Sequence, residues 1–127
     1  MPIREIVVDQ ETQQRKLFFW AESIAKLDDF ESWVSELSTQ GQEKLARLLK
    51  QCLSHTSPLL HHSKEKFKKE LDAANGGIWA IKCGQIRIFG VRRGMDFHII
   101  HFIIKKDNKL TQKDKNAINE KFTKYSQ

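Results

Sequence analysis

Two cations, Lys82 and Arg87, flank the dipeptide Gly84-Gln85 inside a run of Ile, Val, Phe and Trp. If Gly84-Gln85 is a two-residue hairpin loop, with glycine supplying the positive φ of a II′ turn, then Cys83 faces Ile86, Lys82 faces Arg87, Ile81 faces Ile88 and Trp79 faces Gly90. Two positive side chains directly across a strand pair repel one another, so the arrangement is mildly unfavourable unless an anion sits against it. A phosphate is an anion of the right kind. Arg92, Arg93, Lys105, Lys106 and Lys109 fall at the ends of the same sheet, and His98 and His101 lie between them as groups able to move a proton near neutral pH. The plainer alternative is that the cations lean into water and the histidines pack in the core.

The charge is uneven along the chain. Over 127 residues, 22 basic side chains stand against 16 acidic ones, a net charge of +6 with the histidines neutral. Between Lys82 and Lys109 there are seven cations and two carboxylates, Asp96 and Asp107, so this segment alone carries +5. Such clustering is the footprint expected of a nucleic-acid or other polyanion site. A basic face that only keeps the protein soluble has the same composition.

The elements that must position these residues are three β-rich runs, Ile78 to Cys83, Ile86 to Val91 and Phe97 to Ile104, separated by short glycine-containing breaks. They predict an antiparallel meander. Its core face is Trp79, Ile81, Cys83, Ile86 and Ile88, with the indole over Gly90, and its other face carries Ala80, Lys82, Arg87 and Phe89. His98 and His101 are three apart, so simple alternation puts them on opposite sides of the strand. An even-length loop over Arg92 to Met95 pairs Arg87 with Ile100 and places His98 on the basic face, whereas an odd-length loop pairs Arg87 with His101.

Upstream, either Ile3 to Val8 or Lys16 to Trp20 supplies a further strand. Phe30, Trp33, Val34 and Leu37 then follow the spacing of an amphipathic helix, with Asp28 and Asp29 placed to cap it. After Ser38 to Gly41, Leu45, Leu48, Leu49, Cys52 and Leu53 repeat the pattern, which predicts a helical hairpin packed on one face of the sheet. His55 to Ser63 reads as a loop, Lys64 to Leu71 as a short helix held by Phe67 and Leu71, and Asn75-Gly76-Gly77 as the turn that launches the meander. Thr111 and Asp114 resemble a capping box, followed by a stripe of Ile118, Phe122 and Tyr125 on a C-terminal helix. Helices and strands are thus segregated, which predicts one α+β domain over 1–127.

Cys52 and Cys83 fall on core faces without a C-x-x-C spacing and read as small buried hydrophobes in a reducing compartment. The charged start MPIREIVVDQ is unlike a signal peptide, and no run approaches the length of a membrane span, so the expectation is a cytoplasmic protein without a membrane partner. His61 and His62 are adjacent and have no third ligand at metal-binding spacing. No metal or other cofactor is expected.

Four features together resemble the RelE/HigB group of bacterial toxins, in particular its phage-derived HigB-like branch. They are the FESWVSEL...LARLLKQCL helical hairpin, the hairpin IWAIKCGQIRIF with Arg87 three residues after Gly84, the strand IIHFIIKK, and the Lys-rich KKDNKLTQ leading to a C-terminal helix. The resemblance runs from about Asp28 to Tyr125 and rests on order and spacing. It implies a small α+β fold that cleaves messenger RNA, usually in the ribosomal decoding site, and is silenced by a cognate antitoxin, here expected to be a helix-turn-helix protein. It also implies that Arg87 is the family's strand arginine, that Lys82 occupies its basic position before the hairpin glycine, and that His101, Lys105 and Lys106 match its His-x-x-x-Lys-Lys strand end. The proline that commonly follows that lysine cluster is absent, Leu110-Thr111 standing there instead, and Tyr125 is not assigned the role of the C-terminal tyrosine of some members.

Cleavage of RNA through its own 2′-OH needs a base, an acid and cations around the phosphorus, and no metal. On this expectation Arg87 and Lys82 hold the phosphate, His101 or His98 transfers the proton, and Arg92, Arg93, Lys105, Lys106 and Lys109 bind RNA. The resemblance favours His101. Two other functions fit the same sequence: a nucleic-acid or ribosome-binding module without chemistry, and a ParE-like inhibitor of DNA gyrase.

Overall fold

The structure, a computed structural model, describes residues 2–11, 13–54, 67–71, 77–105 and 110–127. It is α+β, with a six-stranded mixed sheet between a helical hairpin on one face and a single helix on the other. The strands are β1 (Ile3–Ile6), β2 (Leu17–Trp20), β3 (Phe67–Leu71), β4 (Ile78–Cys83), β5 (Ile86–Arg93) and β6 (Asp96–Ile104), in the order β1-β2-β6-β5-β4-β3. The helices are α1 (Asp29–Ser35), α2 (Thr39–Ser54) and α3 (Gln112–Tyr125). All neighbouring strands are antiparallel except β2 and β6, which run parallel with Leu17 beside Phe97 and Phe19 beside Ile99.

The meander β4-β5-β6 has the expected β4–β5 register: Trp79 faces Gly90, Ile81 faces Ile88, Lys82 faces Arg87 and Cys83 faces Ile86, across a turn in which Gly84 has φ +59°. Both N-terminal candidates are strands, because each satisfies the other: Ile3 pairs with Trp20 and Ile6 with Leu17. The segment expected to be a helix at Lys64 to Leu71 is instead the strand β3 over Phe67–Leu71, paired to β4 through Phe67–Ile81, Lys68–Ala80 and Lys69–Trp79. A spacing of four residues fits one face of a strand as well as one face of a helix. An isolated turn or two of helix is also marginal, whereas the open edge of β4 offers a ladder of backbone partners. The expected His55 to Ser63 loop, with His61 and His62, lies outside the described residues.

Each face of the sheet has its own core. Toward the helical hairpin, Leu17, Phe19, Ile81, Ile86, Ile88, Phe97 and Ile99 pack with Phe30, Leu45, Leu48, Leu49, Cys52 and Leu53. Phe30 is fully buried among the rings of Phe19, Trp33 and Phe102. Burying such a ring contributes about 1.5–3 kcal/mol. Asp28 occupies the N-cap of α1 but makes no side-chain cap bond; its carboxylate pairs with Arg4 instead. Toward α3, Trp20, Ile78, Ala80, Phe89, Val91 and Ile100 pack with Ile118 and Phe122. The sequence predicts only the first of these cores, so the face expected to be basic and open is largely a second apolar layer. Thr111 caps α3, its Oγ1 accepting from the Asp114 N–H at 3.1 Å, as the capping box requires.

One irregularity decides how the histidines lie. The β5–β6 turn is only Gly94-Met95, with Arg93 opposite Asp96, and a β-bulge follows: Phe89 pairs with His101 but Gly90 with Ile99, leaving Ile100 as an extra residue. An inserted residue resets the alternation. His98 and His101 therefore both face α3, and Arg87 stands opposite Ile103, neither of the partners expected from simple loop lengths. Gly90 is what the bulge needs across the ladder. A Cβ there would lie 2.4 Å from the His98 carbonyl oxygen and 2.6 Å from the ring of Phe97.

Candidate nucleic-acid interface

The β4–β5 hairpin end gathers most of the residues singled out as a phosphate site. Lys82 and Arg87 are directly opposed across the strand pair. The Arg87 guanidinium folds over its own turn, Nη1 donating to the carbonyl of Gly84 at 2.6 Å and to that of Ile86 at 3.0 Å. Its Nε–H is buried with no hydrogen-bond partner. The chain leaving β6 is tied to the same tip, the Lys105 N–H donating to the Gln85 carbonyl at 2.6 Å. Lys106 and Lys109 lie outside the described residues.

His101 shares the α3 face with Arg87, one step diagonal across β5 and β6, a relation that places Cβ atoms about 7–8 Å apart. Its side chain is only 12% exposed. Burial, reinforced by the Lys121 ammonium and opposed by Asp114, pushes its pKa down to about 4, so the ring is neutral at pH 7. Lys121 Nζ sits 2.9 Å from Nδ1; an ammonium can only donate, which puts the ring proton on Nε2. Nε2 is buried without a hydrogen-bond partner and faces the Asp114 carboxylate at 3.9 Å. His101 is thus beside Arg87 but covered by α3.

The other end of the sheet is built differently. Arg92 lies over the Trp79 ring, Cζ 5.0 Å from its centroid, and Arg93 over the Tyr125 ring at 5.2 Å. Arg93 Nε donates to the Tyr125 hydroxyl at 2.9 Å, which in turn is 2.8 Å from His98 Nδ1. Because Arg93 can only donate, the phenol gives its own hydrogen to the imidazole, and His98 carries its proton on Nε2. Burial and the charge of Arg93 lower the pKa of His98. Arg87 and Arg92 are five positions apart on β5, about 17 Å of strand. The basic segment expected to be one site is therefore two ends, with Lys82, Arg87, His101 and Lys105 at one and Arg92, Arg93 and His98 at the other.

The hairpin end also lies beside polar residues of α2. Lys44, Arg47 and Gln51 of α2 line a cleft of about 400 Å³ together with Leu48, Lys82, Cys83 and Gly84. They occupy i, i+3 and i+7 beside the buried stripe of Leu45, Leu48 and Cys52, a spacing visible in the sequence once that stripe is known to face the sheet. Cys83, expected to be buried, is half-exposed at this cleft, while Cys52 is buried.

No family model matches this sequence, and no curated protein matches it. Among the described residues no group of three or more His, Cys, Asp or Glu is placed to hold a metal ion, and no helix is long and apolar enough to cross a membrane.

Proposed function

We propose that this protein is a RelE/HigB-like toxin that acts on messenger RNA at the ribosome and is neutralised by an antitoxin. Arg87 and Lys82 hold the scissile phosphate through charge-assisted contacts, and His101, a neutral imidazole on the same face, exchanges a proton with the reacting oxygens. The observation that carries the reading is the register that sets Lys82 directly against Arg87 beside an exposed hairpin tip, a pair of cations to which a phosphate is complementary.

One observation favours a second reading, an RNA- or ribosome-binding module without chemistry. Both ring nitrogens of His101 are turned to groups on α3, so proton transfer to an RNA requires the Lys121 contact to open.

Expression in a bacterium separates the two. Growth arrest with cleaved transcripts, abolished by Arg87→Ala and by His101→Gln, supports the nuclease. Arrest without cleavage, lost in Arg87→Ala but kept in His101→Gln, supports the binder. A DNA-damage response would instead indicate action on gyrase, and no arrest would overturn the toxin assignment.

A further inference from the structure

We infer that the cleft between α2 and the β4–β5 hairpin is a second phosphate-binding surface, over which a single-stranded RNA continues after passing the Gly84-Gln85 tip. The inference rests on the RNA-directed function proposed above and extends it to Lys44 and Arg47 of α2. The cleft is lined by basic residues from two separate elements, Lys44 and Arg47 from α2 and Lys82 from β4. Basic side chains gathered beside a low-dielectric wall raise the local potential and attract an anion.

The shape suits a sugar-phosphate backbone rather than a base. Lys44, Arg47, Gln51 and Lys82 are the polar residues that line the cleft, and among the described residues no aromatic one does. At the tip, Gly84 has φ +59° and nothing lies within 4 Å of where its Cβ would be, so a backbone can pass close over the turn. Lys82 is the link. It faces Arg87 across the ladder on the α3 side, and it is also a lining residue of the cleft, so it marks the place where the two surfaces meet. The path this defines runs from the α3 face, past Arg87, around the hairpin and onto α2.

The test uses the full chain and a fluorescent single-stranded RNA dodecamer. Lys44→Gln with Arg47→Gln removes two exposed cations and substitutes a good helix former, so the melting temperature should stay within a degree or two. The expected result is weaker binding with a plot of log Kd against log salt that is shallower by about 1.4, two contacts at ~0.7 each. In the wild type the RNA should slow alkylation of Cys83 by iodoacetamide several-fold, with Cys52 buried and unreactive as an internal control. If the wild type binds, Arg87→Ala weakens it, and yet the double variant and the Cys83 rate are unchanged, the cleft is excluded while the RNA-directed function stands. If the wild type does not bind the strand at all, both fall.

Discussion

The two ends of β5 hold arginines by opposite means. At the β4–β5 tip, Arg87 is held by backbone carbonyls of its own turn, with Lys82 opposite. At the β5–β6 end, Arg92 lies on Trp79, and Arg93 lies on Tyr125 while hydrogen-bonded to its hydroxyl. A guanidinium on carbonyls keeps its full charge, because a carbonyl carries none. A guanidinium stacked on a ring and fixed through Nε is already employed in holding α3 to the sheet. Charge count alone does not separate a binding surface from a latch; what each cation touches does.

The largest contrast should come from exchanging the two arginines. Arg87→Ala is expected to lower RNA cleavage by about 10²- to 10³-fold with little change in melting temperature, whereas Arg93→Ala leaves cleavage within a few-fold and lowers stability. Equal losses of activity would erase the distinction between the ends. Next, Gly90→Ala forces a Cβ against the His98 carbonyl and the Phe97 ring, and should cost about 3 kcal/mol in urea unfolding. It acts between the ends, on the bulge that brings both histidines to α3.

Acid should loosen α3 by a comparable amount. The folded pKa of His101 lies below its unfolded value, so its contribution is fully present above the unfolded pKa, near 6.5, and is lost as pH falls toward about 4. Over that window the loss is about 3 kcal/mol, and the shift of His98 acts in the same direction. Urea midpoints at pH 7 and pH 4.5 would measure it, and the difference should shrink in His101→Gln. Tyr125→Phe keeps the ring but removes its hydrogen bonds to Arg93 and His98, a loss of about 1–2 kcal/mol with RNA affinity unchanged. Smallest is Arg92→Gln, about 0.5–1 kcal/mol from the contact with Trp79, read as a shift of a few degrees in melting temperature.

Much of the architecture was legible in the sequence. The β4–β5 register followed from one glycine, and the helical stripes named Phe30, Leu45, Leu48, Leu49, Ile118 and Phe122, all buried. The remainder depended on non-local partners. Phe67 and Leu71 suit either period, and the free edge of β4 decided for strand. Ile3–Ile6 and Leu17–Trp20 looked like rivals because neither has a partner until the other is placed. The two histidines were assigned to opposite faces because a bulge breaks the period of two. A glycine within a strand, Gly90, was the available signal. Tyr125 was read as part of an apolar stripe, and its hydroxyl became meaningful only once α3 lay over β5 and β6.

The parallel pairing of β2 with β6 has a consequence for how the chain is made. Leu17 meets Phe97, some 80 residues later, an interval of roughly 4–16 s at bacterial or eukaryotic elongation rates of about 5–20 residues per second. Until then the N-terminal strands have no inner neighbour, and the middle of the sheet does not exist. Assembly must wait for the final strand, so a ribosome-bound fragment ending before β6 has neither His101 nor a finished sheet, and the platform closes only after Ile104 has emerged.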